Sequence, residues 1–303
     1  MRILTTTLVF CLLVCAKGAF AQPICSGNFT AITQAQVDAL GSCVLITGDL
    51  RIIDGATVDP INNLIALNGL ISIGQDFYLE NTFVTDLSPL STLLSITRDI
   101  RIVNNDNLTD LDGLENLGMT SARDLVIQNN ALLSNVDALA MTAIDSFTRN
   151  VNIRDNQALT NLDGLANIRN VGNNFTITNN DALTDVTMPL LEYVGFSFNI
   201  QDNLILPGFN FASLAVVGNN LNISNNDGLI NLDGFPVLVI VGNNLIIQQN
   251  DALVDISSLA FLAAISGSLT IHNNNALPSL DGLENIGLIS GNLTITNNDV
   301  LSD

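Results

Sequence analysis

Asp110 and Asp112, together with Asp185 and Asp281 in later segments of similar composition, are carboxylates that a repeating chain could bring close together. Two acids at a fixed separation and in distinct environments are what glycoside hydrolysis needs. Here the acids recur at equivalent places in Thr-Asp-Leu-Asp-Gly-like segments, the pattern expected when Asp hydrogen-bonds its own turn backbone. His272 is the sole histidine, and it stands where other segments carry Thr178, Gln201, Ser224, Gln248 and Thr296, which marks a solvated position. With one histidine, a zinc set or a nucleophile–base pair cannot be assembled. Calcium would find oxygen ligands in the acidic turns, but the Gly-Gly-x-Gly-x-Asp nonapeptide is absent. Neither a cofactor nor a metal site is expected, and the chain reads as a non-enzyme.

The elements that carry these residues begin after a leader. Residues 1–21 read as a secretory signal: Arg2, an apolar run from Leu8 to Cys15, and Ala19-Phe20-Ala21 before Gln22. The apolar run is short for a bilayer span. A lipoprotein reading at Cys15 places Val14 where a small residue is wanted. Removing the leader takes Arg2 and Lys17, so seven arginines and no lysine face 29 acids, a net charge of −22. Such a surface repels nucleic-acid phosphates and anionic lipid. Cys25 and Cys43 then remain, and two cysteines near the start of an exported chain read as one disulfide. The alternatives, a metal site or a redox pair, lack CxxC spacing and nearby histidines.

Self-similarity dominates the remainder. The run apolar-x-Ile-x-(Asn/Asp)-Asn recurs from Ile100–Asn105 to Leu293–Asn298, with looser copies at Leu50–Asp54, Phe77–Asn81 and Leu245–Asn250. Its central aliphatic falls at Ile52, Leu79, Ile102, Ile127, Ile153, Ile177, Ile200, Ile223, Ile247, Ile271 and Ile295, spaced 23 to 27 residues apart. Each period holds three short apolar stretches separated by turns such as Val171-Gly172-Asn173-Asn174. Such a unit cannot bury its apolar stretches alone, and stacked units can. The expected fold is an all-β, right-handed parallel β-solenoid of about eleven coils of roughly 24 residues, each adding ~4.8 Å. Residues 22–49 form a disulfide-bonded cap with a short helix, and 50–303 form the repeats. The asparagines that end the Ile-containing strands are expected to stack from coil to coil and satisfy turn backbone groups.

Cys25-Ser26-Gly27-Asn28 through Cys43-Val44-Leu45-Ile46-Thr47-Gly48-Asp49-Leu50-Arg51-Ile52 resembles the opening of receptor L domains. These are the leucine-rich β-helical modules of insulin and epidermal growth factor receptor ectodomains and of fungal GPI-anchored cell-wall proteins. The later repeats look like the repeat-rich form of that family in microbial and protist surface proteins. Two departures stand out: no cysteine follows Cys43 to close a C-terminal cap, and neither a kinase domain nor a GPI-type tail is present. The chain stops partway through a coil, so truncation is expected, and an uncapped end invites end-to-end association.

Strand alternation turns the residues flanking each central aliphatic outward. Read along the coils they are Arg51/Ile53, Tyr78/Glu80, Arg101/Val103, Val126/Gln128 and Asn152/Arg154, then mostly Thr, Asn, Ser and Gln. Arg51, Tyr78, Arg101 and Arg154 thus gather at one end of one face, and Arg and Tyr are enriched at interface hot spots. The resemblance implies the same conclusion, because this strand face of the first L domain contacts ligand in the insulin receptor family. The competing reading is that the arginines only balance acids. A flat threonine array of the ice-binding kind would use Thr176/Thr178 and Thr294/Thr296, but other residues interrupt the row. Five sequons, at Asn28, Asn107, Asn174, Asn222 and Asn292, are candidates for N-glycosylation. Glycans on the last three would cover the C-terminal part of the face.

The functional expectation is a secreted or cell-surface recognition domain that binds an extracellular protein or glycan on its strand face. A wall or adhesive spacer without a specific ligand is the alternative, and a carbohydrate-active β-helix enzyme comes third.

Overall fold

A short strand that buries every second residue needs neighbours on both edges, and this chain supplies them by repeating itself. The computed structural model describes residues 23–55, 58–119 and 121–302; the secretory signal expected at 1–21 lies outside the described residues. Among those described, the longest sheet has twelve parallel strands running from Phe29–Ala31 through Leu50–Ile53, Phe77–Glu80 and Ile100–Val103 to Leu293–Thr296. Neighbouring strands are in register without a slip, so Ile52, Leu79, Ile102, Ile127, Ile153 and Ile177 form one column. The solenoid of about eleven coils expected from the repeat is therefore the fold. The cap joins it directly, because Phe29–Ala31 pairs with Leu50–Ile53 and Ile24–Cys25 with Leu45–Ile46.

The helix of the cap, Gln34–Asp38, starts at Thr33, whose Oγ1 accepts from the Gln36 N–H at 3.3 Å. Cys25 and Cys43 form a disulfide across a Cα separation of 5.6 Å, a linkage at home in oxidising compartments. It ties the first described strand to the segment that follows the helix.

The second side of the coil carries two-residue strands in two sheets, one of four strands and one of eight. The break falls after Ser95–Ile96. There the Met119 Sδ, 3.4 Å from the Ile96 nitrogen, takes the N–H that a neighbouring strand would otherwise accept. The third side is built of turns and short 3-10 segments such as Asp163–Leu165 and Ser257–Phe261.

One continuous core fills the interior, with Phe175 and Phe198 stacked at 4.8 Å and Phe211 and Phe235 at 5.6 Å. Burying one such aliphatic or aromatic side chain contributes roughly 1.5–3 kcal/mol. Coils this close leave no room at the Val-Gly-Asn-Asn turn. A Cβ on Gly218 would lie 2.2 Å from the Gly195 carbonyl oxygen, and one on Gly242 would lie 2.1 Å from that of Gly218.

The asparagine column is present. Asn105, Asn130, Asn156, Asn180, Asn203, Asn226, Asn250 and Asn274 are buried. Each sends its Nδ2 to the carbonyl of a central aliphatic in the preceding coil, as Asn130 does to Ile102 at 3.0 Å, while its Oδ1 accepts from the previous asparagine's backbone N–H. Thr82 begins the column in place of asparagine, donating through both its N–H and its Oγ1 to Asn105 Oδ1. The residue before each column member has φ between 53° and 59°, from Asn104 and Asn129 to Asp155 and Gln249. Asn and Asp tolerate that left-handed conformation better than other side chains, which accounts for the (Asn/Asp)-Asn pair in the repeat.

Candidate functional site

The outward row of the main sheet is set by the same registry. Arg51 pairs with Tyr78 and Tyr78 with Arg101 on adjacent strands, followed by Val126 and Asn152. The structure brings Arg51, Tyr78 and Arg101 together and keeps Arg154 two strands further on, about 10 Å along the stack.

The Arg51 guanidinium carbon lies 4.5 Å from the centroid of the Tyr78 ring, within the range of a cation–π contact. Both side chains are anchored from behind. Arg51 Nη2 is 3.2 Å from Asp49 Oδ2, and the Tyr78 hydroxyl donates to Asp76 Oδ2 at 3.3 Å. Burial raises the Tyr78 pKa, helped by the negative charges of Asp76 and Asp99 and opposed by Arg51. Arg101 Nε is paired with Glu80 on the neighbouring strand. Arg154 is held more loosely, its Nε 4.0 Å from Asp155 Oδ2.

A second charged row at the corner before these strands went unseen in the sequence. Asp49, Asp76, Asp99 and Asp124 occupy equivalent positions, and three of them accept from the next coil: the Asp76 N–H donates to Asp49 Oδ1, Asp99 N–H to Asp76 Oδ1, and Asn150 N–H to Asp124 Oδ1, while the Asp99 Oδ1 faces the Arg123 guanidinium instead. Arginines line this row. Arg98 lies 3.3 Å from Asp76, Arg123 3.2 Å from Asp99 and Arg149 3.4 Å from Asp124. Asp99 has a raised pKa, first because it is partly buried and then because Asp76 and Asp124 flank it, with Arg123 and Arg98 pulling the other way. From Asn150 onward, Asn174, Ser197, Asn220, Asn244 and Ser268 take the corner, and no arginine accompanies them. The dipeptides Arg98-Asp99 and Arg123-Asp124, each just before an apolar strand, were the available signal.

All seven arginines of the described residues have a carboxylate within 4.0 Å. Their crowding into the first coils follows the aspartate corner, so balance of local charge explains most of it. What balance does not explain is the Arg51–Tyr78 stack on the open face.

The remaining candidates sit in turns or strands with ordinary structural partners. Asp110 accepts from the Asp112 N–H and from Thr109 Oγ1, and Asp185 accepts from Thr187 Oγ1. Asp112 has a raised pKa, chiefly because Asp110 lies beside it. Asp281, exposed in its turn, sends its N–H toward Ser279 Oγ. His272 Nδ1 lies 2.8 Å from Thr296 Oγ1 on the neighbouring strand. Among the described residues, no group of three or more His, Cys, Asp or Glu side chains is placed to hold a metal ion, and no helix is long and apolar enough to cross a membrane.

The sequon asparagines differ in what their amides do. Asn222 points out from the main sheet, accepting from Ser224 Oγ at 2.9 Å. Asn174 belongs to the corner row: its Nδ2 donates to Asn150 Oδ1 and its Oδ1 accepts from the Ser197 N–H. Asn28 is exposed but accepts from the Asp49 N–H at 2.9 Å. Asn107 is half-buried in a turn, and Asn292 is exposed.

No protein-family model matches the chain, and no curated protein is significantly similar to it.

Proposed function

We propose that this chain is a secreted or cell-surface recognition domain, non-enzymatic and similar to receptor L domains, that binds an extracellular protein or glycan on the outward face of its main sheet. The observation that carries this reading is the Arg51–Tyr78 stack, a cation on an aromatic face with both groups anchored by buried aspartates. Anchoring means that little side-chain entropy is lost when a partner covers the pair. A stacked guanidinium also presents a flat surface that suits a sugar ring or an aromatic side chain. Arg101, one strand away, extends the patch. The disulfide supports export.

A structural spacer is the second reading, favoured by the complete pairing of the arginines and by the neutral Asn, Ser and Thr surface of the later coils. The two are separated by arraying the secreted chain on glycans and extracellular ectodomains beside an Arg51→Ala/Tyr78→Ala/Arg101→Ala variant. Recognition predicts specific hits that the triple variant loses by at least about tenfold, the scale of a hot-spot truncation. Hits that survive the substitution, or no hits at all, overturn the assignment to this face.

A further inference from the structure

The outer row of the second side changes character along the solenoid. In register it reads Ser121, Ser146 and Asn170, then Tyr193, Val216, Ile240, Ala264 and Leu288. The short sheet nearer the cap carries Ile24, Leu45, Ser72 and Ser95 at the same place. Serine and asparagine therefore satisfy the fold at this position, and the five apolar residues answer to something else. Tyr193 and Ile240 are 40% and 41% exposed, and Leu288 is 54% exposed. Val239, Val237 and Phe261 widen the patch on one flank.

Charge distinguishes this patch as sharply as apolarity does. Three successive coil sides, 211–220, 235–244 and 259–268, hold no charged residue in a chain that carries 29 acids. A cationic partner finds no carboxylate there, and a glycan finds few polar side chains. We infer that the patch is where a second copy of this chain docks. Two copies at −22 each repel across the rest of their surfaces, and the three central coil sides let them meet without opposing like charges, while at the Tyr193 end Glu192 is paired with Arg169. The row is also self-complementary about a two-fold axis at Ile240: antiparallel docking sets Tyr193 of one copy against Leu288 of the other and Val216 against Ala264. The patch spans four inter-strand steps, about 19 Å, and about three residues in width. It thus covers a few hundred Å², below the ~800 Å² per partner of a stable complex. The dimer is accordingly reversible and concentration-dependent, and it strengthens as salt screens the mutual repulsion.

The test is sedimentation velocity on the full chain, produced with its own leader in a secretory host, from micromolar to about 1 mM, the weak end of measurable association. Dimerisation that grows between low and high salt is the expected result. Val239→Ser/Ile240→Ser installs residues like those already tolerated at Ser121 and Ser146. It should weaken the dimer by at least about tenfold while leaving circular dichroism and melting temperature near those of the unsubstituted chain. Leu293→Ser, on the exposed last strand, serves as the control for end-to-end association. A chain that stays monomeric throughout, a dimer indifferent to the Val239/Ile240 pair, or one abolished by Leu293→Ser overturns the inference.

Discussion

The side-chain amide of Asn156 donates to the Ile127 carbonyl of the preceding coil at 3.0 Å, while its Oδ1 accepts from the Asn130 backbone N–H at 3.2 Å. Repeated at every rung, this relationship turns a run of buried polar turns into a hydrogen-bonded column beside the aliphatic one. The two columns depend on each other: the aliphatic column holds the coils close, and that closeness lets one amide reach the backbone of its neighbour.

Asn156→Ala removes a donor and an acceptor from a buried site: the Ile127 carbonyl keeps its strand pairing but loses its second hydrogen bond, and the Asn130 N–H is left without an acceptor. One unsatisfied buried group costs about 1–3 kcal/mol, so the substitution should destabilise the chain by at least about that much in urea unfolding. Asn298→Ala, at the half-buried last rung, should cost clearly less. Equal losses at the two sites would mean that the column contributes nothing beyond local turn geometry.

The coil count, the central aliphatics, the asparagine column and the cap were legible in the sequence because each repeats at a fixed offset and each rests on one property, burial or turn chemistry. The corner row of Asp49, Asp76, Asp99 and Asp124 was not, because it lies one residue outside the strand whose alternation was followed. Arg98 and Arg123, which line that corner, fall outside the alternation as well. Alternation placed Arg51, Tyr78 and Arg101 on one face, but it says nothing about partners. It could not show that Asp49 and Asp76 anchor the first two from behind or that Glu80 holds the third. The apolar row from Tyr193 to Leu288 escaped for a related reason: two-residue strands are too short to display alternation.

The corner row has a pH signature. Burial and the neighbouring carboxylates raise the Asp99 pKa, so the folded state holds that proton more tightly than the unfolded chain does. Stability from this group is therefore fully present below the unfolded carboxylate pKa and declines as pH rises through the raised folded value. Asp99→Asn matches the amide that stands at the corner from Asn150 onward and deletes this decline. Relative to the unsubstituted chain it should be more stable at pH 7 than at pH 3.5, as read from the difference in urea midpoints at the two pH values. A difference of opposite sign would show that the Arg98 and Arg123 pairings outweigh burial at Asp99.

Asn174 and Asn222 are both sequon asparagines, yet the structure gives them different work. Asn174 lends its Oδ1 to the Ser197 N–H and its Nδ2 to Asn150 at 3.2 Å, within the corner row that closes each coil. Asn222 stands on the open face with Ser224 Oγ as its partner. In chain made without glycans, Asn174→Ala should cost about 1–3 kcal/mol, the scale of a buried group left unpaired. Asn222→Ala should stay within about 0.5 kcal/mol, as surface substitutions do. The same contrast governs modification: a glycan on the Asn174 Nδ2 removes one of its two donor hydrogens and crowds the corner, whereas one on Asn222 extends from the sheet unobstructed. Denaturant midpoints of chain made with and without glycosylation should therefore differ more when Asn174 is occupied than when Asn222 is. A larger loss at Asn222 than at Asn174, in either comparison, would place the structural burden on the open face and count against the corner row.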